Sequence, residues 1–528
     1  MSEGSVNNSE AAAGASPKGA PEPVVFHTAL RELLVVAVPS IATMVSFTSM
    51  QFVDKLMVSR IGPDPVYVGA QGNGGLAAFV PVSVAMGILM VINTYVSQNL
   101  GAGRPERSPA YAWNGLWIAV AYWLAVLLPL AAVLPHLLAV TRFGEVSGEG
   151  LAMALHRDEL AGQYGRILLS GGILTLATRG IAQYFYGMHK PGVVLLASIT
   201  GNITNLCLNS LLIYGATTPA WNETWLDGFL GALSGVTRPI AEATGCGAMG
   251  IRGAAIATLV GSAVECSIPL LLFISPKWNR RYRTRSAWRP SWAHVRDLLK
   301  TGWPQGLMFG NEMICWAFFM VFLVGTFGPN HSTAGWIAHQ WMTLSFMPAV
   351  GLSIAVTATV GKSLGAKRPD LAAHRAWTGL GLALVYMGTC GVCFVVLGRP
   401  MIEVFLERNT LPEERAILVG LGVKFLYATA AFQLFDACAM TLSGALRGAG
   451  DTVWPGVATL ILSWSLIVGG GLLLVRFAPG LESLGPWIAA SSYIIALALA
   501  MLARWLSGKW RTMDLLGHAA AGVVSGEK

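Results

Sequence analysis

Acidic side chains lie inside long apolar runs of this sequence, where a charged group needs a specific reason. These acids are Asp54, Glu265, Glu312 and Asp436. An ionised carboxylate in a membrane span costs a few kcal/mol, so such residues usually mark ion or substrate pathways. Two carboxylates at one depth suit reversible protonation or a bare monovalent cation, because burial and mutual repulsion both favour neutralisation.

Helix geometry places two of these acids at a similar depth. At about 1.5 Å per residue from the predicted span ends, Glu312 lies roughly 13 Å from one membrane face and Asp436 roughly 18 Å from the other. Both fall near the midplane, and we interpret them as functional. Asp54 lies nearer the outer face, and we assign Asp54 the same kind of role. Gln51, one turn earlier on the same helix face, is a candidate for the cavity lining. Glu265, close to a span end, is better interpreted as structural.

Two asparagines on the fifth predicted span form a second group of polar candidates. Asn205 and Asn209 are separated by one helical turn and therefore share a face. They can line a cavity in the first half of the chain, or they can join helices by hydrogen bonds. The sequence leaves both interpretations open.

The elements that position these residues are membrane helices. The 528 residues are 54% hydrophobic and only 12% charged, whereas soluble domains carry about 25% charged residues. Apolar runs of about 20 residues recur along the chain, and in lipid each run can satisfy its backbone only as a helix. We predict an all-α polytopic membrane protein with about 12 transmembrane helices.

The net charge of +8 is explained by the orientation of the chain in the membrane and not by nucleic-acid binding. Lys and Arg concentrate in alternate connections between the predicted spans, which is typical of cytoplasmic loops. We therefore expect both termini to be cytoplasmic and the protein to lie in the plasma (inner) membrane.

An internal repeat divides the chain. Leu100-Gly101-Ala102-Gly103-Arg104-Pro105-Glu106 recurs as Leu364-Gly365-Ala366-Lys367-Arg368-Pro369-Asp370. Both copies follow an even-numbered predicted span, so the halves have the same orientation and enclose a central cleft, as in transporters. The predicted units are a disordered cytoplasmic leader (1–28), a first six-helix half (29–276), a basic cytoplasmic linker (277–296), a second six-helix half (297–507) and a cytoplasmic tail (508–528).

Several motifs in order resemble the multidrug and toxic compound extrusion (MATE) family, in its NorM-like branch. The resemblance runs from about Leu30 to the last span. It is carried by these stretches: Val53-Asp54-Lys55-Leu56-Met57-Val58, Gln98-Asn99-Leu100-Gly101-Ala102-Gly103, Pro348-Ala349-Val350-Gly351-Leu352, and Phe435-Asp436 with Leu442-Ser443-Gly444-Ala445-Leu446-Arg447-Gly448.

The resemblance implies an antiporter that expels organic cations in exchange for Na⁺ or H⁺. Glu312 and Asp436 match the branch's acidic positions, which makes them the candidate Na⁺ site, and Asp54 matches its first-span acid. Asn205 matches the asparagine of the first-half site. Asn209 stands where another branch carries Asp. Phe432 stands where some members carry Tyr, which removes a possible oxygen ligand from the cavity wall.

We therefore expect a non-enzymatic exporter that acts as a monomer in the lipid bilayer. It would bind a small organic cation and a coupling ion, Na⁺ or H⁺, with no cofactor and no nucleic acid. One alternative is a flippase of the same superfamily that moves a lipid-linked oligosaccharide, but buried acids suit cations better than pyrophosphate. The other alternative is a membrane-embedded enzyme, which is less well supported because the sequence has no H-E-x-x-H or comparable metal motif.

Overall fold

The computed structural model describes residues 26–62, 66–140, 149–217, 225–406 and 411–517. Every regular element in those ranges is helical, which confirms the all-α prediction. Nearly all of the predicted leader (1–28) lies outside the described residues. The first half contains α1 (Phe26–Ser59), α2 (Val66–Gly101), α3 (Ser108–Tyr122), α4 (Leu128–Val140), α5 (Glu149–Ser170), α6 (Gly172–Gly187), α7 (Pro191–Tyr214), α8 (Trp225–Thr244) and α9 (Ile251–Ile274).

A short helix, α10 (Pro276–Tyr282), precedes the second half of the chain. The second half contains α11 (Trp292–Phe318), α12 (Pro329–Gly365), α13 (Pro369–Val396), α14 (Gly398–Glu403), α15 (Pro412–Ala449), α16 (Val453–Leu462), α17 (Gly471–Phe477) and α18 (Leu484–Leu506). Short π-helical segments at 123–127, 319–324 and 463–470 continue α3, α11 and α16.

Eleven helices within the described residues are long and apolar enough to cross a membrane. The fourth predicted span, roughly 163–187, is not among them, because it falls on two helices, α5 and α6. These meet at Gly171, where an added Cβ atom would lie 2.3 Å from Leu259 Cδ1. Close packing against α9 therefore occurs where the helix is interrupted. The protein is an integral membrane protein.

The repeat appears in the structure as a reciprocal crossing of α2 and α12. A Cβ atom on Gly101 would lie 1.9 Å from the Lys362 carbonyl oxygen, and one on Gly365 would lie 2.0 Å from the Gln98 carbonyl oxygen. Each glycine thus faces the backbone of the other half at the equivalent position.

The crossing lies at the end of the bundle where α1 begins and α2 ends. We call it the basic end, since it carries Arg104, Lys190, Lys362 and Lys367.

Hydrogen bonds join the two halves near the basic end. Thr94 Oγ1 donates to the Arg447 carbonyl oxygen at 2.8 Å, and Gln98 Nε2 donates to that of Gly448 at 3.0 Å. The start of α1 also packs with the second half, because Leu33 belongs to an apolar cluster formed mainly by α12, α13 and α15. The end of α1 packs instead with the first half, through Met57. The halves are therefore in contact at the basic end, while separate apolar clusters form toward the opposite end.

The connection between α7 and α9 contains a further helix, α8. Ser210 on α7 shares hydrogen bonds with Ser234 at 3.3 Å and Thr237 at 2.7 Å, so the polar face of α8 packs against α7. Its Phe229 and Val236 side chains are exposed. This amphipathic helix explains why the connection is longer than a simple turn requires.

Candidate functional site

The second half brings together the two acids that the sequence placed near the midplane. Glu312 lies on α11, and Tyr493 on α18 donates its hydroxyl to Glu312 Oε1 at 3.0 Å. Asp436 on α15 lies close enough to interact electrostatically with Glu312 and Tyr493. Both carboxylates are partly exposed. Glu312 and Tyr493 are thus joined by a hydrogen bond, and Asp436 on a third helix lies near them.

The position of Glu312 is held by its neighbour in the sequence. Asn311 Nδ2 donates to Ser463 Oγ at 2.8 Å, and Trp464 Nε1 donates to Asn311 Oδ1 at 2.7 Å. Ser463 and Trp464 begin the π-helical segment 463–470. Such segments are rare and are frequently found at functional sites. Here the segment supplies the two side chains that anchor α11 one residue before Glu312.

The first half has its own polar cluster around Asp54 at the end of α1. Asn209 Nδ2 donates to Asp54 Oδ1 and also lies 2.8 Å from Asn205 Oδ1. Asn205 Nδ2 in turn donates to Thr258 Oγ1 on α9 at 3.4 Å. Both asparagines are buried and Asp54 is partly exposed. The asparagines therefore join helices and hold Asp54 by a hydrogen bond, as one of the two interpretations expects. Their place in a cavity wall stays a prediction.

Two further predicted cavity residues have different environments. Gln51 is exposed on α1, one turn before Asp54. Phe432 is fully buried, in the apolar cluster of the second half that includes Phe425 and Trp487. In this conformation Phe432 therefore packs in the core, on the face of α15 that meets α18.

Sequence reasoning missed the hydroxyl groups of both sites. Tyr493 was not singled out, although a tyrosine beside Ser491 and Ser492 in an apolar span is a visible signal. Thr258 was missed as well, and Tyr164 lies near enough to Asp54 to interact electrostatically. Neutral hydroxyls carry no insertion penalty comparable to that of an acid, so they do not stand out from sequence alone.

The second-half site is chemically suited to a proton or a monovalent cation. Carboxylate and hydroxyl oxygens are appropriate ligands for Na⁺, and either carboxylate can accept a proton. Within the described residues, no cluster of three or more His, Cys, Asp or Glu side chains could hold a metal ion.

Comparisons with known proteins cover both halves of the chain. The MatE family sequence model matches residues 39–211 and 311–469. The chain is 27% identical over 484 residues to a probable multidrug resistance protein NorM of Mesorhizobium japonicum, covering 90% of this chain and 93% of that protein. It is 29% identical over 497 residues to the protein of the same name in Pseudomonas putida, covering 93% and 96%.

A solved structure described as an outward-facing multidrug resistance MATE family transporter of the MOP superfamily superimposes with a TM-score of 0.73. The two chains are 19% identical, and the match covers 93% of this chain and 96% of the other. The likeness extends over both halves of the chain, and it supports the same fold.

Proposed function

This chain belongs to the MatE family, and on that basis we propose that it is a secondary active antiporter that exports organic cations or drugs in exchange for Na⁺ or H⁺. The observation that carries the proposal is the group formed by Glu312, Asp436 and Tyr493 in a polytopic membrane protein. Partly exposed carboxylates in membrane helices suit cations. The similar proteins named as multidrug resistance proteins support drugs as the substrate class.

The transport cycle that we propose is alternating access between two arrangements of the halves. By the positive-inside rule the basic end faces the cytoplasm, with both termini, in the plasma (inner) membrane. The halves meet at that end, so this conformation corresponds to access from outside. Opening of the basic end would admit the substrate cation from the cytoplasm.

Coupling follows from competition for the same carboxylates. The coupling ion and the cationic substrate both need the negative charge of Glu312 and Asp436. Occupancy by one lowers the affinity for the other, and the reverse follows by linkage. We expect one protein chain to perform this cycle, in contact with lipid and without nucleic acid or a cofactor.

The test uses purified protein in liposomes and a fluorescent organic cation. An Na⁺ gradient and an H⁺ gradient are imposed separately, and dye movement is followed in each. Glu312→Gln and Asp436→Asn should abolish the movement driven by the effective gradient. Glu413→Gln is the control, because Glu413 is an exposed acid at the start of α15.

Full driven transport in both neutral variants would remove these carboxylates from the mechanism. If folded wild-type protein moves the dye under neither gradient, the export proposal fails. Translocation of a fluorescent lipid-linked oligosaccharide in the same vesicles would then identify the flippase alternative.

A further inference from the structure

A cluster of charged side chains connects the two halves at the surface of the basic end. Arg375 on α13 donates from Nε to Glu32 Oε2 on α1 at 3.1 Å, and its Nη2 donates to the same oxygen. Lys362 Nζ at the end of α12 lies 3.9 Å from Glu32 Oε1. Glu32 belongs to the first half and both cations belong to the second. Separation of the halves at this end would break the ion pairs.

His189 makes a second contact between the halves beside this cluster. It lies in the turn between α6 and α7, and its ring Nε2 is 3.2 Å from the carbonyl oxygen of Ala358 on α12. The imidazole also interacts electrostatically with the cluster residues Glu32, Lys362 and Arg375. The first-half turn therefore reaches α12 directly, next to the ion pairs.

The backbone of His189 shows that this side chain occupies an unusual position. Its φ is +56°, in the left-handed region, and its counterpart in the second half is Gly450, with φ +88°. Both turns have the same hydrogen bonds: His189 N to the Tyr186 carbonyl at 3.0 Å, and Gly450 N to the Arg447 carbonyl at 2.9 Å. Non-glycine residues seldom adopt this conformation, so the first-half copy of the turn carries a side chain where the second-half copy has none.

We propose that Glu32, His189, Lys362 and Arg375 form a gate that holds the halves together at the basic end, and that protonation of His189 favours its opening. The gate deepens the proposed function, because it rests on alternating access between the halves. Its ligand is the proton. The quantity that the proton would change is the ratio of protein with an open basic end to protein with a closed basic end.

The sign of the pH effect follows from the surroundings of His189. Burial and then the positive charge of Lys362 lower the pKa of the imidazole to about 4 in the closed arrangement. An accessible histidine has a pKa of about 6.5. The stability that neutral His189 contributes to the closed gate is therefore complete above about pH 6.5 and is lost as the pH falls toward 4.

These two pKa values set the size of the pH effect. Between pH 7.5 and pH 5 they give at most about a 30-fold rise in the ratio of open to closed protein.

The experiment measures opening without relying on transport. Ser97 is buried at the interface, and its Oγ would lie 2.1 Å from a Cβ atom on Gly361 of the other half. A Ser97→Cys reporter is placed in a full-length variant whose seven native cysteines have been replaced. Its alkylation rate by a polar maleimide in liposomes reports how often the basic end opens.

The ion pairs are tested by charge removal and charge exchange. Glu32→Gln should raise the reporter's alkylation rate roughly 3- to 10-fold, since partly exposed ion pairs stabilise by up to about 1 kcal/mol each. The exchange of Glu32→Arg with Arg375→Glu should restore a low rate. Arg399→Gln, in an exposed pair with Glu403 of the same half, is the control. An unchanged rate in Glu32→Gln would overturn the role of the ion pairs.

The pH arm uses His189→Gln, which keeps a side-chain donor but cannot be protonated in this range. Acidification from pH 7.5 to 5 should accelerate alkylation in the protein with His189 relative to the glutamine variant at each pH. This comparison cancels the intrinsic pH dependence of the thiol. Identical pH profiles in the two proteins would overturn the proton-sensitive part of the gate.

The gate and the antiporter can fail separately. If the reporter responds as expected but the protein moves no cation, the gate proposal is supported and the export proposal is wrong. If the protein exports the cation but Glu32→Gln does not change the alkylation rate of the reporter, the gate proposal is wrong and the export proposal is supported.

Discussion

The crossing of α2 and α12 makes Gly365→Ala a sharp test of the closed arrangement. The added methyl carbon would lie 2.0 Å from the Gln98 carbonyl oxygen, 2.7 Å from its carbonyl carbon and 2.8 Å from its Cα. All three atoms belong to the backbone, so no side chain can rotate away. The two helices must separate by about 1 Å or more to reach a tolerable contact.

Overpacking of this kind costs about 1–3 kcal/mol. The cost applies to the closed basic end alone, since the glycine has no such neighbour once the halves separate. The ratio of open to closed protein should therefore rise by roughly 5- to 150-fold. Gly101→Ala should have a similar effect, because its Cβ atom would meet the Lys362 carbonyl oxygen in the same way.

The assay is the distance between spin labels on cysteines that replace Arg104 and Lys367, one in each half. The distribution should shift to longer distances in Gly365→Ala. Gly192→Ala is the matched control, because Gly192 lies near the same end and its Cβ atom would meet nothing within 4 Å. An unchanged distribution in a folded Gly365→Ala protein would refute the reasoning that this contact closes the basic end.

Two further substitutions test the site and the fold. Tyr493→Phe removes the hydroxyl that donates to Glu312. Because this donor favours the ionised carboxylate and hydrogen bonds to charged groups contribute about 1.5–3 kcal/mol, the apparent affinity for the coupling ion should change roughly 10- to 150-fold in liposome transport, and an unchanged affinity would contradict this role. Asp451→Asn breaks a buried ion pair with Arg504 of 2.6 Å, which should destabilise the protein by about 3–5 kcal/mol and lower its melting temperature in detergent. Asp370→Asn, in an exposed pair, should change the melting temperature little, and equal effects would show that burial does not matter here.

Apolar length and the repeat predicted most of the fold, because lipid allows only helices to span. The fourth span was harder. Its division at Gly171 coincides with a contact to Leu259 on α9, a residue far away in the sequence. Helix α8 was not predicted either, since its polar face is explained only by contacts with Ser210 on α7. Both features come from tertiary packing, which periodicity alone does not report.

The sequence predicted the charged residues of the candidate site but not its hydroxyl groups. Glu312 and Asp436 were placed together because helix geometry converts sequence position into depth. The role of Phe432 depended on the rotation of α15 about its axis, and that rotation is set by packing against α18. Tyr493 was absent from the prediction because a hydroxyl becomes notable only once its partner is known.

The crossing at Gly101 and Gly365 is, in symmetry terms, an isologous contact, in which the same surface serves both partners. A single ancestral half would have needed only one such surface to pair with an identical copy. Any change in it would have altered both sides of the contact at once. In a single chain the two copies can differ, as His189 and Gly450 do: the first-half copy of the turn carries an imidazole, and the second-half copy has no side chain. Equivalent positions on the two sides of such a junction can thus carry different side chains and respond differently to pH.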